Sequence, residues 1–160
     1  MTITLRVLGQ GDLDEVFRWE SNLAAARMAA FTRADPTDRA AFDQHYERVL
    51  ASPDNTNLAI EDDAVFVGTI ASFTMKWRRE LTYWVDPDRW GRGIASAAVG
   101  TFLDRETLRP LFARAAAQNV GSNTVLLRNG FVKIGEETGW AVGFAEDVRE
   151  NIYRLDSLPG

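Results

Sequence analysis

The run Leu81-Thr82-Tyr83-Trp84-Val85-Asp86-Pro87-Asp88-Arg89-Trp90-Gly91-Arg92-Gly93-Ile94-Ala95-Ser96 offers chemistry that no other part of the chain does. It reads as a strand, a Pro-containing turn, a glycine-spaced loop and the start of an amphipathic helix. Such a junction points several backbone N–H groups at one spot, at the positive end of a helix dipole, and suits a phosphate or pyrophosphate. Gly91 and Gly93 permit positive φ and let an anion approach the backbone with no Cβ in the way. Ala95 and Ser96 keep the first helical turn small. The run lacks the Gly-Lys-Ser/Thr ending of a P-loop, so no lysine or magnesium-binding hydroxyl is placed for a nucleoside triphosphate. It also lacks Gly-x-Gly-x-x-Gly followed by an acid after a second strand, which argues against a dinucleotide fold. The alternative is a tight strand-to-helix turn that merely needs glycine.

Within this run, Trp90-Gly91-Arg92-Gly93-Ile94-Ala95 resembles the acyl-CoA signature Gln/Arg-x-x-Gly-x-Gly/Ala of the GNAT superfamily of N-acetyltransferases. Trp stands where Gln or Arg is usual. The form Trp-Gly-Arg-Gly-Ile-Ala is similar to the branch that resembles the ribosomal-protein N-terminal acetyltransferases. A second block, Asn119-Val120-Gly121-Ser122-Asn123 with Gly130-Phe131, resembles the Asn-x-x-Ser-Asn…Gly-Phe segment of the same branch. The resemblance covers about residues 2 to 156.

The resemblance implies direct transfer of an acetyl group from acetyl-CoA to an amine, through a tetrahedral intermediate and without an acyl-enzyme. It assigns Trp90, Gly91, Arg92, Gly93, Ile94, Ala95 and Ser96 to the cofactor phosphates, Val85 to the pantetheine arm and the thioester carbonyl, and Asn119 and Asn123 to the pantetheine side. Ser122 stands where this branch places a serine near the sulfur. Other branches use a tyrosine five residues before the Phe of Gly-Phe, and here that position is Leu126. Ser122 is thus expected either to hydrogen-bond the departing thiolate or to cap the helix that follows. Glu80 is either the general base or an exposed strand acid. The base of some relatives falls six positions before the Val85 equivalent, where this chain has Arg79, and a one-residue slip turns a side chain to the other face of the sheet unless a bulge intervenes. Glu136, Glu137 and ordered water are the other routes for the proton. Arg89 could reach the 3′-phosphate of CoA, and His45 reads as structural.

Composition narrows the class further. The chain has 160 residues, 46% hydrophobic and 26% charged, which suits one domain over residues 1–160. With no cysteine and one histidine, neither a thiol nucleophile nor a thiolate zinc site is available, and no metal is expected. The net charge of −5 argues against nucleic acid as a partner. No signal-type or membrane-length apolar run is evident, so a cytoplasmic protein with no membrane partner is expected. The acceptor would be a small-molecule amine or a protein N-terminus. The resemblance also implies a homodimer. A different class stays open: a catalytically weak CoA-binding sensor or interaction module on the same fold.

The elements that must position these residues follow from periodicity and punctuation. Strands are expected at Ile3–Leu8, Asn57–Glu61, Ala64–Thr74, Glu80–Val85, Leu111–Ala116, Phe131–Glu136 and Glu150–Leu155. Helices are expected from Asp12, over Asn22–Phe31, over Arg39–Leu50 with Thr37 or Asp38 as cap, over Ser96–Glu106 and over Ser122–Asn129. Turns fall at Glu61-Asp62-Asp63 and at the basic stretch Lys76–Arg79. Gly139–Phe144 reads as a loop that could close over substrate, and Met28, Phe31, Trp77, Trp140 and Phe144 are candidate acceptor-lining groups. The fold class is α/β: a GNAT-like domain with a central mixed, mostly antiparallel sheet flanked by helices, in which two parallel strands ending near Val85 and Ala116 splay apart.

Overall fold

The computed structural model describes residues 1–142 and 145–157. Seven strands form one sheet: β1 (Ile3–Val7), β2 (Thr56–Asp62), β3 (Val65–Met75), β4 (Arg78–Val85), β5 (Leu111–Ala116), β6 (Val132–Ala141) and β7 (Glu146–Leu155). Their spatial order is β1-β2-β3-β4-β5-β7-β6. Every neighbouring pair is antiparallel except β4 and β5, which are joined through a helix and run parallel. The α/β class and the mixed, mostly antiparallel sheet are therefore as the sequence indicates.

The hairpins show how local chemistry fixes the strand ends. β3 and β4 pair as far as Met75↔Arg78, so the connection is Lys76–Trp77 alone, with φ of 50° and 70°. Two-residue loops with both φ positive match the right-handed twist of the strands they join. Arg78 and Arg79, expected in the turn, belong to β4. The Arg78 guanidinium lies 4.6 Å from the ring centroid of Phe112, and Arg79 donates to the Ser72 hydroxyl at 3.0 Å. The β2–β3 turn is likewise Asp63–Ala64, with φ of 49° and 69°, one or two residues later than expected.

Among the described residues five α-helices cover the sheet: α1 (Leu13–Glu20), α2 (Leu23–Ala29), α3 (Arg39–Ala51), α4 (Ile94–Leu103) and α5 (Val120–Arg128). Asp38, not Thr37, caps α3: its carboxylate accepts the Ala41 N–H at 3.0 Å. Asn22 caps α2 through the Ala25 N–H at 2.9 Å, and α2 stops before Phe31 because Ala30 turns to φ 67°.

α4 and α5 lie on one face. There Ile94, Ala98, Val99, Phe102 and Leu103 of α4 and Leu126 of α5 meet Ile60, Val67, Leu81, Val85, Leu111 and Tyr153 from the strands. The apolar positions of α4 recur at helical spacing, so one side of the helix is buried. Each large side chain removed from water there contributes about 1.5–3 kcal/mol. On the opposite face α1 and α3 bury Leu13, Val16, Trp19 and Phe42 over Ala59, with Phe66 and Trp84 partly buried against them. The Trp19 and Phe66 rings lie 4.8 Å apart.

The last hairpin departs most from expectation. β6 continues to Ala141 and takes in Gly139 and Trp140, which the sequence reading put in a loop. Gly139 is needed in this strand because a Cβ there would lie 2.9 Å from the Phe31 ring. The expected Gly143 and Phe144 part of that loop lies outside the described residues.

Candidate active site

The β4–β5 pairing stops early. Register partners are Arg79↔Leu111, Glu80↔Phe112 and Leu81↔Ala113, and no pair follows. β4 nevertheless continues to Val85 and β5 to Ala116. Beyond Leu81 and Ala113 the two strands therefore diverge, and unpaired backbone groups face the gap from both sides. A thin, amide-bearing chain can satisfy them there by strand-like hydrogen bonds.

The glycine loop closes one end of this opening. After β4, Asp86 accepts the Asp88 N–H at 3.0 Å and starts a short 3-10 turn, Pro87–Arg89. Trp90 then turns back so that its indole N–H donates to the Val85 carbonyl at 3.0 Å. This gives a physical reason for the Trp at the first signature position: it ties the loop to the strand end. Gly91 and Gly93 have φ of 79° and 78°, a left-handed region costly for residues with a Cβ. A Cβ built on either meets no protein atom within 4 Å. The glycines thus serve backbone conformation and open space, not internal packing.

Gly93 is the N-cap of α4 and makes no side-chain capping bond. The first bond of the helix is Ala97 N–H to the Gly93 carbonyl at 3.1 Å. The N–H groups of Ile94, Ala95 and Ser96 precede it and have no intrahelical acceptor. They are left open at the start of the helix, beside the two glycines. Ile94 can contribute only its backbone, since its side chain is 2% exposed in the core. Ser96 accepts from the Asn129 amide through its carbonyl at 3.2 Å and its hydroxyl at 3.4 Å, which ties α4 to the end of α5. Arg92 is exposed beside these N–H groups, whereas Arg89 lies 3.6 Å from the Asp86 carboxylate.

At the far side of the opening, Asn119 caps α5. Its side-chain oxygen accepts the Ser122 N–H at 3.2 Å, so Ser122 sits inside the first turn and is not the cap. The Ser122 hydroxyl instead lies 2.7 Å from the Tyr83 hydroxyl, across the gap between α5 and the diverging part of β4. Burial pushes the Tyr83 phenol up to about 12, against a lowering by the Ser122 hydrogen bond. It is therefore un-ionised at ordinary pH, and it also donates to the Ser122 carbonyl at 3.3 Å. Sequence reasoning missed Tyr83. The available signal was its place two residues before Val85, which puts both side chains on one face of the strand. Leu126, where other branches carry a tyrosine, is fully buried.

Asn123 is engaged within the protein. Its amide donates to the Ala116 and Asn119 carbonyls at 3.0 and 2.7 Å, and its oxygen accepts from Asn151 and Tyr153. It binds the end of β5 to α5 and β7.

Glu80 is 3% exposed and lies one residue before the last paired level of β4 and β5. The β3–β4 register is continuous from Gly68↔Val85 to Met75↔Arg78, so no bulge intervenes, and Glu80 faces away from Val85. Its partner is Arg114, at 3.6 Å, which also binds Glu137 at 2.8 Å and Glu150 at 3.2 Å. Burial raises the Glu80 carboxyl above the usual range, and Arg114 opposes this. Glu150 is raised by burial as well. Arg114 holds Glu137 below its ordinary value, and Lys133 does the same to Glu136, so both are weaker proton acceptors.

On the Glu80 face a cavity of about 880 Å³ runs between α3 and β2–β4 and reaches Thr82 and Trp84. Phe31, Arg33, His45 and Tyr46 line it as well. His45 packs edge-on to the Tyr46 ring at 5.2 Å. Phe31 is thus placed at this cavity, while Trp77 stands fully exposed at the hairpin tip. Eight residues separate it from Val85, or about 26 Å of strand. Among the described residues no group of three or more His, Cys, Asp or Glu could hold a metal ion, and no helix is long and apolar enough to cross a membrane.

Residues 2–132 match the family model described as an acetyltransferase (GNAT) domain. Solved structures share the fold. A spermidine N-acetyltransferase from Vibrio cholerae in complex with CoA and spermine is 18% identical, with 95% of each chain covered and a TM-score of 0.77. A probable acetyltransferase is 22% identical over 96% of this chain and 92% of its own, at 0.75. An N-acetyltransferase from Staphylococcus aureus Mu50 is 19% identical over 98% and 99%, at 0.74. No curated protein matches the sequence.

Proposed function

The chain belongs to the GNAT acetyltransferase family, and from that premise we propose that it moves the acetyl group of acetyl-CoA directly to a primary amine, through a tetrahedral intermediate and without an acyl-enzyme. The observation that carries this reading is the opening between β4 and β5 past Leu81 and Ala113, with the Gly91–Gly93 cradle at its end. The cradle has the unpaired N–H groups and free space that a pyrophosphate needs. Trp90, Gly91, Arg92, Gly93, Ile94, Ala95 and Ser96 hold the phosphates, mainly through backbone N–H groups, with Arg92 adding charge. Val85 and Asn119 hold the pantetheine arm from the two sides of the gap, and Asn123 keeps Asn119 in place.

In the reaction the amine nitrogen bonds to the thioester carbonyl carbon, and the carbon–sulfur bond then breaks with its electron pair on sulfur. Backbone N–H groups at the end of β4 stabilise the oxyanion. The ammonium proton leaves toward Glu80 through water, since Glu80 is buried below the opening and raised toward the range useful to a base. Ser122 hydrogen-bonds the leaving thiolate. The amine reaches the thioester from the face of the 880 Å³ cavity.

The acceptor is a small-molecule amine or a protein N-terminus. The signature forms favour the branch of ribosomal-protein N-terminal acetyltransferases, while the fold relatives include spermidine N-acetyltransferases. The reading is of a cytoplasmic, metal-free enzyme, one domain over 1–160 and a homodimer, with neither nucleic acid nor membrane as partner. Thermal unfolding with acetyl-CoA, ATP or NAD, followed by free-thiol release with a panel of amines, tests it. At 100 times the dissociation constant, binding contributes about 2.7 kcal/mol, which raises the midpoint by roughly 5–10 °C. A rise with acetyl-CoA alone and thiol release with an amine are expected. Binding without thiol release from any amine would make the chain a CoA sensor, and no shift would remove the cradle assignment.

A further inference from the structure

We infer that Tyr83 is a positioning residue that aims the Ser122 hydroxyl at the leaving sulfur, so that the two hydroxyls act together as the donor that stabilises the thiolate. This rests on the proposed acetyl transfer. A serine in the first turn of a helix ordinarily donates back to a carbonyl three or four residues earlier. Here the carbonyl three residues back, that of Asn119, already receives the Asn123 backbone N–H at 3.1 Å and the Asn123 side-chain amide at 2.7 Å. A carbonyl has two lone pairs, so this acceptor is full. The carbonyl four residues back, that of Gln118, receives the Val120 N–H at 3.0 Å and lies ahead of the helix, so the network that engages Asn123 closes the nearest carbonyl of the helix to Ser122.

Ser122 turns instead to Tyr83, with 2.7 Å between the oxygens. Tyr83 comes from the opposite wall of the opening, and its position on the strand puts its side chain on the same face as that of Val85. Either hydroxyl can donate across this contact, and the phenol proton has two acceptors, the Ser122 hydroxyl at 2.7 Å and the Ser122 carbonyl at 3.3 Å; given to the nearer one, it leaves the serine proton free to point away from Tyr83. A thiolate in the gap is the anion for which that proton is placed.

Acidity decides between proton transfer and hydrogen bonding. Tyr83 is pushed up to about 12, whereas a thiol such as that of CoA titrates near ~8.5. Passing a proton from either hydroxyl to the thiolate would run uphill, and the phenolate left behind would be buried. The pair therefore stabilises the thiolate by hydrogen bonding, and the thiolate takes its proton from solvent later. The single tyrosine that other branches place at the Leu126 position is replaced by a serine on α5 backed by a tyrosine on β4.

The test uses CoA with its free thiol, and needs no acceptor. The thiolate absorbance of bound CoA is followed against pH for the intact protein, Tyr83→Phe, Ser122→Ala and the double variant. The intact complex should titrate below free CoA. Each single variant should lower the thiolate-to-thiol ratio roughly tenfold, in keeping with loss of a charge-assisted hydrogen bond. The double variant should be no worse than Ser122→Ala, because Tyr83 acts only through the serine. Additive losses, or a Tyr83→Phe protein that loses CoA affinity with an unchanged thiol titration, would make Tyr83 a packing residue and overturn the inference. If Tyr83→Phe does not fold, Ser122→Ala carries the test, and an unchanged titration there overturns it too. Failure of the intact protein to bind CoA would instead defeat the proposed function. Binding with a thiol that titrates as in free CoA would defeat this inference alone.

Discussion

Replacing Gly93 by Ala separates the cost of a strained backbone from the cost of a blocked ligand. The residue has φ 78° and ψ 10°, where a Cβ costs about 1–2 kcal/mol. Loss of glycine freedom in the unfolded chain offsets about 0.4–1 kcal/mol of this. The net loss is about 1 kcal/mol, or roughly 2–4 °C in midpoint for a chain of this size. No protein atom lies within 4 Å of the new methyl group, so nothing inside the protein has to move. Any loss of acetyl-CoA affinity beyond the strain must come from the ligand meeting the methyl. Displacing one charge-assisted hydrogen bond to phosphate costs about 1.5–3 kcal/mol, which is roughly 10- to 150-fold in dissociation constant. Titration calorimetry with acetyl-CoA, beside a melting curve of the free protein, measures both quantities. Gly130→Ala is the control. It has φ +88°, and its Cβ would meet the Leu155 side chain at an ordinary 3.6 Å. It should melt lower by a similar amount and bind as the intact protein does. A Gly93→Ala protein with a lowered midpoint and an affinity within about threefold of the original would refute the phosphate assignment.

Two further outcomes follow from the same physics. Burial holds the Glu80 carboxyl above its ordinary value, so ionised Glu80 lowers stability once pH rises past the unfolded value near ~4.3 and through the folded one. Glu80→Gln should therefore melt at or above the original temperature at neutral pH while turnover falls at least tenfold, and the gap in midpoint should close at acid pH. A melt that falls at neutral pH would mean that the Arg114 pair outweighs burial. At the β3–β4 hairpin, Lys76→Asn with Trp77→Gly supplies the residues that favour positive φ and should raise the midpoint by about 2–5 °C with acetyl-CoA affinity unchanged. A lower midpoint would show that the exposed Trp77 makes a stabilising contact.

The sequence by itself determined the backbone of the glycine loop. Its parts lie within seven consecutive residues, and the positive φ of Gly91 and Gly93 is a local property that glycine alone accepts without cost. The strand ending at Val85, a cap at Thr37 or Asp38 and the alternation of buried residues were legible for the same reason: each depends on neighbours a few positions away. Hairpin boundaries slipped because Lys76–Trp77 and Asp63–Ala64 adopt positive φ without the Asn or Gly that announces it. β6 ran past Gly139 because a ring from Phe31, more than a hundred residues away, takes the place of the missing side chain. Only the tertiary structure decided where the Ser122 hydroxyl lies. Its alternatives were local, cap or donor, but the cap belongs to Asn119, and its hydroxyl partner Tyr83 stands 39 residues earlier on another element. The same holds for Glu80, whose face was set by an unbroken register with β3 and whose acidity is set by burial against Arg114. Spacing along a chain fixes conformation and face, whereas burial and partner choice depend on which distant segments the fold brings together.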